Sequence, residues 1–328
     1  MKMQKYVNLF RGVLTRVSNT SAGLLYLANL KANRYLNFPL FLRRVNVVIT
    51  SACNLKCKYC PTGRGVIPGR HMEICIFRKS INDIIECINN NIFFSELHLF
   101  SGGEPLLHPK LLEILSILAE VKKIKNFPKT AIYTNCTLLS STKAKEILLS
   151  GGLDEISFSI DMGNKEEYES LRVGANFDTV LRNAIGTIDI INKYGLSVKT
   201  KLVSIFPKKE KSLIFDPRFL KLANLVDEFA PRFPHNWTGD IDLGFKPDEY
   251  RKTQKNKGLC GFIRNNIVIL PDGRITPCCA DQAGRGAYSH INALTLIKAI
   301  CSPSREKMIK LMMLNRRQKI PLCRYCEL

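Results

Sequence analysis

From residue 44 onward, the chain alternates short strand-like segments with longer helical ones. Apolar, β-favouring residues predict six strands, namely RVNVVIT (44–50), ELHLFSG (96–102), KTAIYTN (129–135), DEISFSID (154–161), LSVKTKLVSI (196–205) and VDEFAPRF (226–233). Helical spacing of apolar residues predicts helices such as FRKSINDIIECINN (77–90), KLLEILSILAEVKK (110–123), STKAKEILLSG (141–151) and FDTVLRNAIGTIDIINKY (177–194). This alternation predicts an α/β fold with parallel strands and right-handed crossovers. Six units favour a partial (β/α)6 TIM-like barrel over a complete barrel of eight.

The residues that follow the predicted strands carry the candidate chemistry. They are Cys53, Cys57 and Cys60 after the first strand, SGGEP (101–105) after the second, Thr134 and Asn135 after the third, Ser159 to Asp161 after the fourth, and HNW (235–237) after the sixth. Barrels of this kind form their active sites at the carboxyl ends of the strands. We therefore expect these residues to converge on one site.

The composition is that of a globular protein. The chain has 328 residues, of which 45% are hydrophobic and 23% charged, enough for one large core and a smaller second unit. No apolar run reaches the roughly 18 residues that a membrane-spanning helix needs, and residues 1–30 lack a signal-peptide pattern. A cytoplasmic protein is expected. In a reducing compartment its 12 cysteines favour metal or redox chemistry over disulfides.

Positive charge is concentrated near the amino terminus. The formal net charge is +21, and no acidic residue precedes Glu73, although lysine and arginine occur throughout that stretch. The segments YVNLFRGVLTRV (6–17) and LLYLANLKANRYL (24–36) carry apolar residues at helical spacing beside these cations. The pattern predicts a helix on an anionic membrane surface or on a polyanion, and the alternative is an ordinary solvated basic face. A transit peptide is a further alternative, which the anaerobic chemistry inferred below disfavours.

Cys53, Cys57 and Cys60 form the pattern CxxxCxxC within one loop. Three thiolates in one loop suit a [4Fe-4S] cluster, because thiolates are the usual soft ligands of such clusters, and three ligands leave the fourth iron open. A zinc site would need a fourth cysteine or histidine close by, and the nearest histidine, His71, lies outside the loop. The triplet therefore predicts an iron-sulfur cluster with one open iron.

CNLKCKYC followed by SGGEP resembles the radical S-adenosylmethionine (radical SAM) superfamily, over roughly residues 44–235. The resemblance implies that the open iron binds the amino and carboxylate groups of S-adenosylmethionine. It also implies that Tyr59 lies near the adenine and that the GGEP segment binds the methionine amino group, since a carboxylate suits an ammonium partner. Without the cysteines, GGEP would be an ordinary strand-to-helix turn. The cofactor-binding candidates are Tyr59, Gly102, Gly103, Glu104, Pro105, Asn135, Ser159, Asp161 and Arg172.

The C-terminal third contains a second set of cysteines. In CGFIRNNIVILPDGRITPCC, which starts at Cys260, PDG predicts a hairpin turn between two short strands, and the chain closes with IPLCRYCEL. This arrangement resembles the SPASM or shorter twitch domains that carry auxiliary clusters in part of the superfamily. Because no cysteine follows Cys326, we expect one auxiliary [4Fe-4S] cluster, and four-cysteine zinc is the alternative. The expected ligands are Cys260, Cys278, Cys323 and Cys326.

These motifs divide the chain into three expected parts. They are a basic amphipathic extension at 1–43, the radical SAM partial barrel at 44–235, and an auxiliary-cluster domain of a β-hairpin plus helix at 236–328. His235, Asn236 and Trp237 lie between the two cluster units, where a substrate would bind, and they pair hydrogen-bonding groups with a stacking plane. A structural role for these three residues is the alternative.

Five cysteines remain outside the two ligand sets. Cys279 could replace Cys278 as a ligand, donate a hydrogen atom to a substrate radical as a catalytic residue, or be a small buried thiol. The others are expected to be core or incidental residues, namely Cys75, Cys87, Cys136 and Cys301.

The resemblance also implies a reaction. An electron from an external donor such as a flavodoxin or ferredoxin reaches the first cluster and cleaves S-adenosylmethionine, and the 5′-deoxyadenosyl radical removes a hydrogen atom from the substrate. If the auxiliary cluster takes a second electron, the product is oxidised. If a thiol such as Cys279 returns a hydrogen atom, the product is an epimer.

The residues say least about the substrate. No peptide-recognition domain of winged-helix size precedes the barrel, and short members of the SPASM group resemble enzymes that dehydrogenate or epimerise sugars and cyclitols. The basic charge suits an anionic, nucleotide-linked or lipid-linked glycan, and a basic amino terminus could hold the enzyme at the inner membrane surface. We therefore expect a radical oxidoreductase or epimerase of a carbohydrate-like metabolite.

Two alternatives stay open at this point. One is a peptide or protein maturase of the thioether cross-link or formylglycine type. The other is a non-enzymatic iron-sulfur or zinc protein that binds nucleic acid, which charge alone would allow. Because no basic stripe interleaves with aromatic residues, nucleic acid is the less favoured partner.

Overall fold

The computed structural model describes residues 19–36, 38–206, 215–242 and 260–326, without the side chains of residues 19–23. Its strands are β1 (Leu40–Val47), β2 (Lys56–Cys57), β3 (Ile92–His98), β4 (Lys129–Thr134), β5 (Glu155–Ser159), β6 (Arg172–Val173), β7 (Lys199–Ile205), β8 (Glu228–Arg232), β9 (Asn266–Ile269), β10 (Arg274–Thr276) and β11 (Ser289–His290). Its α-helices are α1 (Asn19–Leu36), α2 (Ile74–Asn89), α3 (Leu111–Val121), α4 (Ser141–Leu149), α5 (Lys165–Leu171), α6 (Phe177–Lys193), α7 (Pro217–Leu225), α8 (Gly261–Asn265), α9 (Leu296–Ile300) and α10 (Pro303–Met313). Short 3-10 turns lie at Pro105–Leu107, Trp237–Gly239, Arg317–Lys319 and Pro321–Cys323.

A nine-stranded sheet in the order β11-β10-β9-β1-β3-β4-β5-β7-β8 organises the described residues. Six neighbouring strands, β1, β3, β4, β5, β7 and β8, are parallel. Helices lie in the connections between them, as parallel strands require. The structure thus confirms the six predicted strands, the four predicted helices and the α/β class with a partial-barrel order.

The two faces of this sheet differ in character, because successive side chains of a strand point to opposite sides. On β3 and its extension, Leu97 and Leu99 are fully buried in the core that the helices cover. Glu96, His98 and Phe100 alternate with them and point to the other face, called here the inner face. Any molecule held inside the partial barrel would meet this inner face.

The C-terminal unit continues the sheet. β9 pairs in parallel with β1, and β10 returns antiparallel to β9. The PDG segment forms the predicted turn between them, where the Gly273 amide donates a 2.8 Å hydrogen bond to the Leu270 carbonyl. Gly273 has a φ of +87°, and a Cβ there would lie 2.9 Å from the His290 ring, so the turn requires glycine. The two cluster units therefore share one continuous sheet.

Helix α1 packs against the body of the protein through a single stripe. Tyr26, Leu30 and Asn33, spaced four and three residues apart, are all buried. The Tyr26 hydroxyl accepts a 2.7 Å hydrogen bond from Arg305, and Asn33 donates one of 2.8 Å to the Phe38 carbonyl. The predicted segment YVNLFRGVLTRV lies outside the described residues. Among the residues described, no helix is long and apolar enough to cross a membrane.

Candidate active site

The loop that carries the first three cysteines is held in place by a short two-stranded sheet. β2 and β6 pair antiparallel, with Cys57 opposite Arg172, and the Lys58 amide donates a 3.0 Å hydrogen bond to the Leu171 carbonyl. At the end of the loop, the Cys60 amide bonds to the Cys57 carbonyl at 3.3 Å. The loop is therefore fixed both to itself and to the segment after α5.

The three thiols lie close enough to affect one another electrostatically. Burial raises the pKa of Cys53 and raises that of Cys57 to about 12, and the neighbouring thiols add to both shifts. Burial also raises the pKa of Cys60, which receives opposing hydrogen bonds from residues 62 and 63. Buried thiols of this kind stay protonated at neutral pH unless a metal replaces the proton. Binding of a shared cluster would stabilise the three thiolates, which burial otherwise disfavours.

The GGEP segment packs directly against the cysteine loop. Gly103 has a φ of +74°, and a Cβ there would lie 2.5 Å from the Thr50 carbonyl oxygen. The Glu104 amide donates a 2.7 Å hydrogen bond to the Ala52 carbonyl, one residue before the first cysteine. The glycine is needed here for its backbone conformation and for close approach to the chain. Pro105 begins the 3-10 turn that follows and is buried.

The Glu104 carboxylate ties the ends of β3 and β4 together. One oxygen accepts a 2.7 Å hydrogen bond from the Asn135 amide, and the other accepts one of 3.2 Å from the Leu106 amide. Burial raises the pKa of the Glu104 carboxyl to about 7 against the effect of these hydrogen bonds and one from Thr134. The Asn135 side chain in turn donates a 3.0 Å hydrogen bond to Asn54, inside the cysteine loop.

Tyr59, Asp161 and Arg172 form one buried network. The Tyr59 hydroxyl and the Arg172 Nε both donate hydrogen bonds to Asp161 Oδ2, the latter at 2.6 Å, and the Ile205 amide donates one of 2.8 Å to Oδ1. Burial raises the pKa of Tyr59 well above its usual range. Ser159 is the last residue of β5, two residues before Asp161, and is half-buried. The structure thus brings together three of the cofactor-binding candidates, namely Tyr59, Asp161 and Arg172.

The second set of cysteines also comes together. Cys278 is buried and lies close enough to Cys260 for the two thiols to interact, and Cys323 interacts with both Cys260 and Cys326. Burial raises the pKa of Cys323 to about 12. In the described chain, no three His, Cys, Asp or Glu side chains meet at the position of a single ion. Each thiolate of a four-iron cluster binds a different iron, so cluster ligands need not meet at one point.

A hydrogen-bonded bridge connects the two cysteine sets. Gln282 accepts a 3.0 Å hydrogen bond from the Thr62 hydroxyl and donates one of 2.9 Å to the Ser101 carbonyl. The Ser101 hydroxyl donates a 2.5 Å hydrogen bond to the Cys279 carbonyl. The segment after β10 is thereby attached to both the cysteine loop and the GGEP segment. No motif in the sequence indicates this role for Gln282.

Cys279 lies on the inner face of the sheet. It is half-buried and packs beside Val48, Val268 and Leu270 of the β1 and β9 segments. The other unassigned cysteines divide as expected, since Cys87 and Cys136 are buried in the core, Cys75 is exposed and Cys301 is half-buried.

The segment of His235, Asn236 and Trp237 connects the two cysteine sets through hydrogen bonds. Trp237 Nε1 donates a 2.7 Å hydrogen bond to the Tyr59 carbonyl, and Asn236 Nδ2 donates one of 2.6 Å to the Tyr325 carbonyl. The His235 ring lies 4.4 Å from the Trp237 ring. These side chains thus have partners within the protein, and a substrate-binding role for them stays a prediction.

The inner face carries a polar group that the sequence pattern did not single out. Arg44 donates hydrogen bonds of 2.9 and 2.6 Å to Glu96 Oε2, and His98 Nε2 lies 3.1 Å from the same oxygen. Burial lowers the pKa of His98 to about 4, so the contact is a neutral hydrogen bond at pH 7. Burial alone would raise the pKa of Glu96, but His98 and Arg44 together lower it.

Two aromatic rings adjoin this polar group. The Phe100 and Tyr133 rings stack with centroids 5.0 Å apart and planes 16° apart, and both are half-buried. The Tyr133 ring also lies 5.2 Å from that of His98. Asn46 is 2% exposed, donates a 2.9 Å hydrogen bond to the Phe100 carbonyl, and leaves its Oδ1 without a partner. The alternation in ELHLF could have revealed this face, since every second residue is polar or aromatic.

Comparison with known proteins decides the family. A family model for the radical SAM superfamily matches residues 47–211, about half of the chain. The chain belongs to the radical SAM superfamily. A second model, for the SPASM iron-sulfur cluster-binding domain, matches residues 260–327. These matches confirm that this radical SAM enzyme uses S-adenosylmethionine with a [4Fe-4S] cluster and carries a further iron-sulfur cluster in its SPASM domain.

The chain is also similar to proteins of known name and to solved structures. A Methanococcus maripaludis protein named probable GTP 3′,8-cyclase is 32% identical over 246 residues, covering 71% of this chain and 74% of that protein. The crystal structure of BtrN in complex with AdoMet and 2-DOIA is 15% identical with a TM-score of 0.59, covering 88% and 94% of the two chains. Streptococcus suis SuiB bound to precursor peptide SuiA is 16% identical with a TM-score of 0.62, covering 92% and 74%. At these identities the two structures show a shared fold alone.

The residues present fit the cofactors of this radical SAM enzyme. Three mutually close thiols lie beside a glycine-rich segment whose Gly102 and Gly103 leave no room for a Cβ. Thiolates are the donors that iron-sulfur clusters require, and the glycines let the GGEP segment pack closely against the cysteine loop and the Gln282 side chain. Four further cysteine thiols form the second group. Their individual assignments as ligands stay predictions.

Proposed function

We propose that this radical SAM enzyme removes a hydrogen atom from a carbon of a sugar-like or cyclitol-like metabolite and thereby epimerises or oxidises it. The observation that carries the proposal is the lining of the inner face, where the stacked Phe100 and Tyr133 rings adjoin the Arg44, Glu96 and His98 group. Pockets for small molecules combine such apolar walls with a few fixed polar groups.

The charges of the inner face favour a neutral, hydroxyl-rich substrate ring. Arg44 is paired with Glu96, and Lys201 lies 2.6 Å from Glu228, so each cation already has an acidic partner. Paired acids and bases still offer hydrogen-bond donors and acceptors to vicinal hydroxyl groups. The unpartnered Oδ1 of Asn46 is a further acceptor, and burial without a partner is costly for such an atom. An anionic nucleotide or lipid group would extend outward from this ring.

We assign the cofactor contacts to the candidates that the structure gathers. When bound, the cluster and S-adenosylmethionine supply a radical that removes a hydrogen atom from the substrate. Cys53, Cys57 and Cys60 hold the cluster, the GGEP segment receives the methionine end, and the Tyr59–Asp161–Arg172 network positions the adenosine end. Cys260, Cys278, Cys323 and Cys326 hold the auxiliary cluster. The barrel (44–235) and the cluster unit (236–328) act as one catalytic body.

The position of Cys279 favours epimerisation over oxidation. Its side chain packs on the inner face beside Val48 and Val268, where a substrate radical would form. The thiol would transfer its hydrogen atom to the substrate carbon and become a thiyl radical. An electron and a proton, supplied through the external electron donor and solvent, would then restore the thiol. A flavodoxin or ferredoxin is a suitable donor, since such acidic proteins complement a chain with a net charge of +21.

GTP is a second candidate substrate. The observation that favours it is the name of the Methanococcus maripaludis relative, probable GTP 3′,8-cyclase, at 32% identity. A nucleobase would stack on the Phe100 and Tyr133 pair, and the paired cations would have to release their acidic partners to bind a triphosphate. That rearrangement costs free energy, which is why we place GTP second. A peptide substrate has only fold-level likeness in its favour, and superfamily membership favours an enzyme over a nucleic-acid-binding protein.

The test is a substrate screen on the anaerobically reconstituted enzyme. Nucleotide sugars, cyclitols, GTP and a cysteine-containing peptide would each be added with S-adenosylmethionine, a strong reductant and deuterated water. The expected result is 5′-deoxyadenosine release stimulated by a sugar or cyclitol, with one solvent deuterium in the product for epimerisation and none for oxidation. Stimulation by GTP alone would replace the proposal with cyclisation. Stimulation by the peptide alone would replace it with a maturase.

A further inference from the structure

Helix α1 has a second face, opposite the stripe that packs on the protein. Leu24, Ala28, Lys31 and Tyr35 are spaced by four, three and four residues and therefore share one side of the helix. Leu24 is 59% exposed and Tyr35 is 72% exposed. The buried stripe of Tyr26, Leu30 and Asn33 lies on the other side, so packing fixes which side faces outward. We call the exposed side the outer face of α1.

Large apolar side chains are concentrated on and beside this face. Leu25, Leu36 and Phe38 are 50%, 79% and 47% exposed. Together with Leu24 and Tyr35, these make five exposed apolar side chains among the described residues of the segment 24–38. Single exposed apolar residues are ordinary on a protein surface, but a contiguous group marks an interaction site.

The charges of the segment select the kind of partner. Lys31 lies within the outer face and Arg34 beside it, and neither forms an ion pair with a described residue. The Arg34 guanidinium lies 5.5 Å above the Tyr35 ring, next to the apolar side chains. Lys2, Lys5, Arg11 and Arg16 precede the helix in the sequence, and no acidic residue occurs before Glu73. An apolar surface that carries cations complements an anionic lipid surface, where leucine and tyrosine enter the headgroup region.

We propose that the outer face of α1 docks the enzyme on a membrane that contains anionic lipid. The buried stripe on Tyr26 and Arg305 anchors the helix to the catalytic body, so docking of the helix would hold the whole enzyme at the bilayer. This inference does not depend on which substrate the enzyme uses.

The test is flotation of the full-length, anaerobically purified holoenzyme with vesicles of phosphatidylcholine alone or with about one third phosphatidylglycerol. Binding is expected only with the anionic vesicles and should weaken as salt is raised. Replacing Lys31 and Arg34 by Gln should weaken it about 25-fold, since each cation near an anionic surface contributes about fivefold. Leu24→Ser with Leu36→Ser should weaken it at least about tenfold.

Matched controls use exposed residues of the barrel that lie at the end of α4 or in the turns next to α3 and α4. Leu138→Ser with Leu149→Ser removes two leucines of 38% and 48% exposure, and Lys123→Gln with Lys125→Gln removes two exposed cations. Both controls should bind vesicles as the unchanged enzyme does. Equal effects of control and test pairs would overturn the proposal, and so would equal binding to neutral vesicles or no binding at all. Dimerisation that Leu24→Ser with Leu36→Ser abolishes would instead identify the face as a contact between two copies of the chain.

Discussion

Trp237 Nε1 donates a 2.7 Å hydrogen bond to the backbone carbonyl of Tyr59, the residue that precedes the third cysteine of the first set. Trp237→Phe keeps a ring but removes this donor. A hydrogen bond of this kind contributes about 1 kcal/mol, so we expect S-adenosylmethionine to bind about fivefold more weakly, with iron content unchanged. Anaerobic equilibrium dialysis measures the affinity, and Phe233→Leu, at a 44% exposed ring nearby, is the control. An unchanged affinity with a raised substrate KM would return Trp237 to the role of a substrate residue.

The two cysteine sets should be separable by mutation. Replacing Cys53, Cys57 and Cys60 by Ala should remove about four irons per chain and abolish cleavage of S-adenosylmethionine, because the cluster would lose its thiolates. Replacing Cys323 and Cys326 should instead leave uncoupled cleavage but stop product formation. Iron analysis and 5′-deoxyadenosine release check both. Cleavage that persists without the first set, or zinc in place of iron at the second, would contradict the ligand assignments.

Gln282 should influence the first cluster through Thr62. The Thr62 hydroxyl donates to Gln282 and also lies within hydrogen-bonding contact of the Cys60 thiol. Gln282→Leu would free that hydroxyl to donate to the sulfur, and a donor to a cluster sulfur stabilises the reduced, more negative state. We expect a higher reduction potential, measured by spectroscopic redox titration of the holoenzyme. Gln318→Leu, at an exposed glutamine, should leave the potential unchanged, and a shift of equal size there would exclude the Thr62 route.

Much of the fold follows from local sequence pattern. The barrel strands are short segments rich in β-favouring residues, either continuous or alternating with polar ones, and each helix repeats apolar residues at helical spacing. Both could therefore be predicted before their partners were known. The pairing of β9 with β1 could not, because it joins Arg44 to Asn266 across more than half of the chain. Cysteine spacing points to the first cluster for a similar reason, since its three candidate ligands share one loop. The second set runs from Cys260 to Cys326, and it is the resemblance to SPASM domains that connects its members.

The rest of the site depends on long-range contacts that leave little trace in the sequence. Gln282 reaches Ser101 and Thr62, although it belongs to no recognisable motif. Asn236 is in the HNW segment, but nothing in that segment predicts its hydrogen bond to Tyr325. The position of residues 235–237 after a strand predicts that they bind substrate. In the structure, Asn236 and Trp237 also hydrogen-bond to the backbone next to each of the two cysteine sets. The polar inner face at Glu96 and His98 was visible as alternation, but alternation alone does not tell an active-site lining from a solvent-exposed face.

Asp161 should be essential to the stability of the barrel as well as to the site. It is 1% exposed and is the acidic partner of the buried Arg172. Asp161→Asn leaves the guanidinium buried without a counter-charge, which costs about 3 kcal/mol in the free energy of unfolding. Anaerobic urea unfolding measures the loss, and Asp189→Asn, at an exposed aspartate, should cost less than about 0.5 kcal/mol.

A double variant separates the charge effect from lost packing. Asp161→Asn combined with Arg172→Met removes both charges, so it should be more stable than Asp161→Asn alone. If the double variant were the less stable of the two, the pair would be held by packing and hydrogen bonds and not by charge compensation.

His98 should make the holoenzyme less stable in mild acid. Burial holds its pKa at about 4, below the ordinary value of 6.5, so the folded state binds fewer protons than the unfolded state between those two pH values. Stability is therefore complete above about pH 6.5 and falls as the pH decreases towards 4. Lowering the pH from 7.5 to 5.5 should reduce the free energy of unfolding by roughly 1 kcal/mol through His98. His98→Gln keeps a hydrogen-bond donor for Glu96 but cannot titrate. When the pH is lowered from 7.5 to 5.5, the variant should therefore lose roughly 1 kcal/mol less of its free energy of unfolding than the unchanged enzyme does. Urea unfolding at the two pH values measures the difference, and parallel pH dependence in the two proteins would mean that His98 is solvated or already charged in the folded enzyme.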